Sequence, residues 1–222
     1  MTLSIKDPGS ALTHFIGMIL AGLAATPLLV LAAKDGGRYA VPALAIFAAS
    51  RILLYGASTT YHTFNISEKV NKVLRKIDHM MIFILIAGSY TPICVIPLRD
   101  TVGIPLLILV WAVAIAGMLI KAFWITCPKW FSSTIYIAMG WLCVLAMVPL
   151  VQTLPTAAFI WLVAGGVIYT IGGVIYALKL PLFNAKHQYF GSHEIFHVFV
   201  RAGSLCHYVT MFYIAVMLFF FL

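Results

Sequence analysis

Seven long apolar runs decide what this chain can fold into. They lie near Leu12–Ala33, Ala40–His62, Val73–Pro97, Gly103–Trp124, Phe131–Gln152, Thr156–Leu180 and Ser192–Leu222. A bilayer-spanning helix needs about 20 such residues. Within hydrocarbon, only helices and closed barrels satisfy every backbone polar group. The runs predict an all-α integral membrane protein, with residues 1–222 forming one seven-helix transmembrane domain. The linkers are short and carry turn or breaker residues: Asp35-Gly36-Gly37, Arg99-Asp100, Cys127-Pro128-Lys129 and Leu154-Pro155. There is no room for an inserted soluble domain.

Composition agrees. The chain is 63% hydrophobic and 9% charged, whereas soluble domains carry about a quarter charged residues. The net charge of +8 does not indicate nucleic acid, because the basic residues are spread between apolar runs. Cys94, Cys127, Cys143 and Cys206 show neither disulfide nor metal-ligand spacing, and no role is assigned to them. The first run exceeds a signal-peptide core, so it is read as a retained span, although Leu31-Ala32-Ala33 loosely matches a cleavage site.

Lys and Arg predict orientation. Lys6, Lys69, Lys72, Arg75, Lys76, Lys121, Lys129, Lys179 and Lys186 flank one side, against Lys34, Arg38 and Arg99 on the other. The N-terminus is expected in the cytoplasm and the C-terminus outside. That topology puts the end of span two, the starts of spans one, three and seven, and their polar residues at one depth.

Those polar residues are the chemically informative part. Ionisable groups within spans are costly and point to function. Asp7, Asp35, Glu68 and Asp100 are expected outside the spans, leaving Asp78 and Glu194, each beside a histidine. His193 and His197 stand at i and i+4, one turn apart on one helix face. With His62 at matching depth they form a candidate three-histidine zinc site, and three protein ligands plus a water is the open arrangement of catalytic zinc. Zinc lowers the pKa of such a water from about 15.7 to about 7. Asp78 is placed to take its proton or hold it, and Ser58, one turn before His62, points the same way. The simpler reading remains open: span-end histidines also hydrogen-bond carbonyls or headgroups.

The string His193-Glu-Ile-Phe-His197 also matches the H-E-x-x-H of zinc proteases, in which Glu194 would be the general base. On an ideal helix Glu194 points ~100° from His193, which favours a supporting role. His79 reads as a neighbour of the site, His187 as a loop residue, and His207 as too deep to be a ligand; His14 stays open between support and capping. Arg51 and Arg201 lie deeper than the proposed metal. They either satisfy themselves on carbonyls, or one faces a cavity and binds a lipid carboxylate or phosphate. Gly165, Gly166, Gly172 and Gly173 recur at seven-residue spacing, which predicts close helix packing.

Taken together, Ser58-Thr-Thr-Tyr61-His62, Arg75-Lys-Ile-Asp78-His79, Ala87-Gly-Ser-Tyr-Thr-Pro92, His193-Glu-Ile-Phe-His197 and Gly203-Ser-Leu-Cys-His207 resemble the hemolysin III family. That family is the bacterial branch related to the progestin and adipoQ (adiponectin) receptors, within a superfamily of membrane metal hydrolases. The resemblance covers nearly the whole chain. It implies a seven-helix protein of the bacterial cytoplasmic (inner) membrane and zinc (Zn2+) held by His62, His193 and His197. It also implies that Asp78 engages the zinc water, with Ser58 beside it. In the receptor branch the chemistry is hydrolysis of a ceramide-type lipid amide; the bacterial branch carries a hemolysin label and a link to membrane-lipid homeostasis. The sequence departs from the family in the acid and Asn that usually precede Thr-His, here Asp7 and Ser10, and in Arg201, where an apolar residue is expected.

Four functions compete. The first is a zinc hydrolase of a membrane-lipid amide or ester. The second is a seven-helix sensor or receptor with structural zinc. The third is a cytolysin, and the fourth an intramembrane metalloprotease. The first expects Asp78 and Ser58 as catalytic residues and a membrane lipid as partner; the fourth requires Glu194 as base.

Overall fold

The computed structural model describes residues 5–35, 37–178 and 191–221. Lys179, Lys186 and His187 lie outside the described residues. The elements are α1 (Pro8–Asp35), α2 (Gly37–Thr63), α3 (Glu68–Val95), α4 (Ile104–Phe123), α5 (Lys129–Gly140), α6 (Met147–Thr153), α7 (Thr156–Leu178) and α8 (Ser192–Phe221). Helix α5 continues through a 3-10 segment, Trp141–Ala146, into α6, and these three pieces form one span. Among the described residues, seven helical spans are long and apolar enough to cross a membrane.

Two boundaries differ from the sequence expectation. Helix α3 starts at Glu68, five residues before the expected Val73, because Ser67 caps it: its hydroxyl accepts from Val70 N at 3.3 Å. Glu68 therefore sits in the first turn of a helix and not in a loop. The fifth span is broken, which apolar composition does not reveal. Lys121, expected at a loop edge, is buried in the last turn of α4.

Helices pack in chain order, α1 on α2, α2 on α3 and α3 on α4, and the ring closes where α1 meets α8 and α8 meets α7. Helix α3 is the most buried span and runs through the middle. Small residues set these approaches, as expected where lipid removes the hydrophobic drive between helices. A Cβ on Gly88 would strike the Ser50 side chain, and one on Gly117 would strike the Phe83 ring. Gly103 has no alternative, because a Cβ there would overlap the carbonyl oxygens of Cys94 and Leu98. The glycine pairs of α7 behave differently from one another. Gly165 abuts His207 and Gly172 abuts Phe199, as close packing requires, but Gly166 meets nothing and lines a cavity.

The molecule is apolar outside and partly polar within. Leu23, Ile108 and Val148 are 66–68% exposed, whereas Ser50, Arg51, Ser58, His62, Asp78 and His197 are buried. That inversion positions the site, since polar side chains facing lipid would each cost several kcal/mol and turn inward together.

Candidate metal centre

Closure of α1 against α8 and of α2 against α3 brings one end of each helix to a common point. His62 comes from the last turn of α2, and His193 and His197 from the first two turns of α8. Each offers a ligand nitrogen, and the three nitrogens lie within 4.8 Å of one another. His193 Nε2 is 3.2 Å from His62 Nε2. Nitrogens bound tetrahedrally at 2.0–2.1 Å sit about 3.4 Å apart, so the pair is already at ligand spacing. The donor set fits a divalent transition metal: a buried three-histidine group that can hold an ion.

The surroundings fix which nitrogen faces inward. His62 Nδ1 donates to Asp7 Oδ2 at 2.9 Å, leaving the Nε2 lone pair toward the other histidines. This is the carboxylate–histidine support that orients metal ligands. The segment before α1 is strapped across the end of α2: Asp7 N donates to His62 O at 2.9 Å, and Lys6 Nζ lies 3.5 Å over the Tyr61 ring. Thr13 Oγ1 is 3.5 Å from His197 Nδ1. His14 stacks on His197 with ring centres 3.7 Å apart and planes 12° from parallel.

Glu194 does not face this point. Its Oε2 accepts from Gly191 N at 2.8 Å, closing the first turn of α8 as the return half of a capping box. Its Oε1 accepts from Ser10 Oγ at 2.6 Å. The Glu194 carboxylate is thus spent on fastening α8 to α1. His79 Nδ1 donates to Arg75 O at 2.9 Å and lies beside the cluster. His207 sits ten residues beyond His197, far from the three ligand nitrogens.

Asp78 and Ser58 meet the histidines across a cavity of about 130 Å³, which His14, His193 and His197 also line. Asp78 is 7% exposed, with His79 Nδ1 3.5 Å from its carboxylate and the Ser58 side chain beside it. The Ser58 hydroxyl is buried without a hydrogen-bond partner. A carboxylate and a hydroxyl left open toward the same space can act on whatever occupies it. The cavity continues between Tyr136, Trp141, Tyr169 and Tyr176, a mostly apolar passage. A metal held by the three histidines would bring a Lewis acid to this space, next to a buried carboxylate and hydroxyl.

Sequence reasoning grouped His62, His193, His197, Asp78 and Ser58, and the structure brings all five together. It missed the contact of Asp7 with His62 and that of Ser10 with Glu194. The one signal for the first was that an acid, Asp7, stands shortly before Thr13-His14. It also missed a buried knot in which Lys121 Nζ donates to Cys127 Sγ at 3.1 Å and to Ser132 Oγ.

Comparison with known proteins agrees with this geometry. Residues 4–208 match the model of the family described as Haemolysin-III related. The chain is 37% identical over 216 residues to Hemolysin-3 of Bacillus cereus, covering 96% of this chain and 94% of that one. It is 36% identical over 199 residues to a Hemolysin-3 homolog of Bacillus subtilis, covering 90% and 89%. An adiponectin receptor protein of Drosophila melanogaster is 26% identical over 176 residues, 71% of this chain and 39% of that one. Seven apolar helices and these bacterial relatives place the protein in the bacterial inner membrane. On the match of nearly its whole length, the chain belongs to the haemolysin-III-related family.

Proposed function

We propose that this protein is a zinc-dependent membrane hydrolase that cleaves an amide or ester bond of a bilayer lipid. The observation that carries the reading is the opening of Asp78, Ser58 and the histidine cluster onto one apolar-walled cavity. His62, His193 and His197 would hold the metal, with Asp7 fixing His62. When bound, zinc acts as a Lewis acid on the scissile carbonyl and lowers the pKa of water. Asp78 takes the proton from the attacking water and returns it to the leaving amine or alcohol, so that one carboxylate serves as base and then acid. Ser58 donates a hydrogen bond from its otherwise unpartnered hydroxyl to the oxygen on which charge develops. The aromatic passage receives the acyl chain and keeps bulk water from the reacting bond.

A structural metal in a sensor would need the three histidines but would leave Asp78 and Ser58 idle. A protease would need Glu194 free, and it is held by Gly191 and Ser10. The test is turnover of a defined lipid panel, ceramides and lysophospholipids, by purified protein in detergent. Metal-dependent release of fatty acid that Asp78→Asn abolishes while metal content stays unchanged supports the reading. Metal-loaded protein that releases nothing from any of them argues for the sensor.

A further inference from the structure

The deep end of the same cavity holds a second polar group that the hydrolytic reading does not use. Tyr169 of α7 and His207 of α8 line it, their ring centres 5.3 Å apart. The Tyr169 hydroxyl and both ring nitrogens of His207 are buried without a hydrogen-bond partner. Beside them is Arg51, 7% exposed, whose Nε donates to Ser204 Oγ at 2.9 Å. Arg201 stands one turn before Ser204 on α8, and its Nε is also buried and unpartnered. Tyr55 lies in the electrostatic field of both guanidiniums, and Tyr169 and His207 in that of Arg51.

Arginine stays charged in any protein environment. A guanidinium within a membrane span faces the bundle interior and is paired there. Among the described side chains no carboxylate pairs with Arg51 or Arg201: the ion pairs are Lys6–Asp7, His62–Asp7 and His79–Asp78. Arg51 thus lies behind one phenol and one imidazole with unused hydrogen-bonding capacity, Arg201 lies toward α1 against Gly17, and among the described residues no carboxylate pairs with either guanidinium. The groups are also held in place. A Cβ on Gly165 would come within 2.7 Å of His207 Nε2, one on Gly203 within 2.9 Å of the Tyr169 ring, and one on Gly17 within 3.3 Å of Arg201 Cδ. The backbone approaches closely enough at three positions to leave these side chains little freedom.

We propose that Tyr169 and His207, backed by Arg51 through Ser204, form a binding site for an oxyanion, a carboxylate or phosphate, at the end of the cavity remote from the three histidines. The guanidinium's fork of N–H donors matches two oxygens of such a group, and a phenol donates a further hydrogen bond. The anion is either the charged end of an amphiphile lying along the cavity or a free inorganic ion. The proposal concerns binding alone and stands whether or not the histidine centre is catalytic.

The test uses the full-length protein in detergent, treated with chelator so that a carboxylate on the metal cannot be mistaken for one here. Binding of laurate, methyl laurate and inorganic phosphate is measured by calorimetry. Laurate should bind at least about tenfold more tightly than its uncharged ester, the scale of a charge-assisted hydrogen bond. Tyr169→Phe and Arg51→Met should each remove most of that preference and leave methyl laurate unaffected. Tyr169→Phe deletes one unpartnered hydroxyl, so folding should survive it even where Arg51→Met fails to fold. Displacement of laurate by phosphate identifies a free oxyanion as occupant; failure to displace identifies the amphiphile, and either supports the site. Equal binding of laurate and methyl laurate, or wild-type laurate affinity in Tyr169→Phe, overturns the proposal.

Discussion

Asp7 changes how His62 is understood. The histidine was legible as a candidate ligand because a lone imidazole ends an apolar run at the same depth as an i, i+4 pair. Its carboxylate partner was not, because Asp7 reaches His62 through a chain reversal 55 residues away that no periodicity encodes. Partners of this kind are worth 10–100-fold in metal affinity. Asp7→Asn is accordingly expected to weaken metal binding by about that factor in a competitive chelator titration while leaving full loading at saturation. Glu194 and Asp78 separate in the opposite sense. Glu194→Gln should keep both metal and lipid turnover and lose thermal stability, since it loosens the tie to Ser10 and the cap on α8. Asp78→Asn should keep the metal and lose turnover. A reversal of those two results would restore the protease reading.

At the scale of elements, the spans could be read because nothing but a helix tolerates twenty apolar residues in lipid. Their interruptions could not: Trp141–Ala146 is as apolar as its neighbours, and the 3-10 turn forms where the Tyr90 hydroxyl enters the backbone ladder, donating to Gly140 O and accepting from Cys143 N. The early start of α3 was hidden for the opposite reason, because its first turns are polar and read as loop. Helix contacts hinge on single glycines. Gly88→Ala drives a methyl into Ser50 and should cost about 1–3 kcal/mol, the usual penalty for overpacking. Gly22 has open space around it, so Gly22→Ala should be neutral or mildly stabilising. Melting temperatures of the two variants in one detergent check the contrast; equal melting temperatures would mean that α2 and α3 are not packed as described.

For the molecule as a whole, the orientation expected from Lys and Arg predicts that the histidine centre opens near the cytoplasmic face. Single cysteines at Lys72 and Arg99, in an otherwise cysteine-free chain, should react with a membrane-impermeant maleimide from opposite sides of intact spheroplasts, Arg99 from outside. Labelling of Lys72 from outside would invert the topology and with it the side from which water reaches the site. The cavity joining the histidines to Tyr169 and His207 was not visible in the sequence. It arises where α3, α5, α7 and α8 face one another, and Gly166 lines it with no side chain to fill it. The account rests first on one ion being gripped by His62, His193 and His197. The direct measurement is elemental analysis of purified wild-type protein beside His193→Ala, both shown to be folded by circular dichroism. The expected result is about one zinc per wild-type chain and near none in the variant, as for a site of three protein ligands. Wild-type protein that carries no metal even after zinc is supplied, or a variant that binds it as well, would contradict the account.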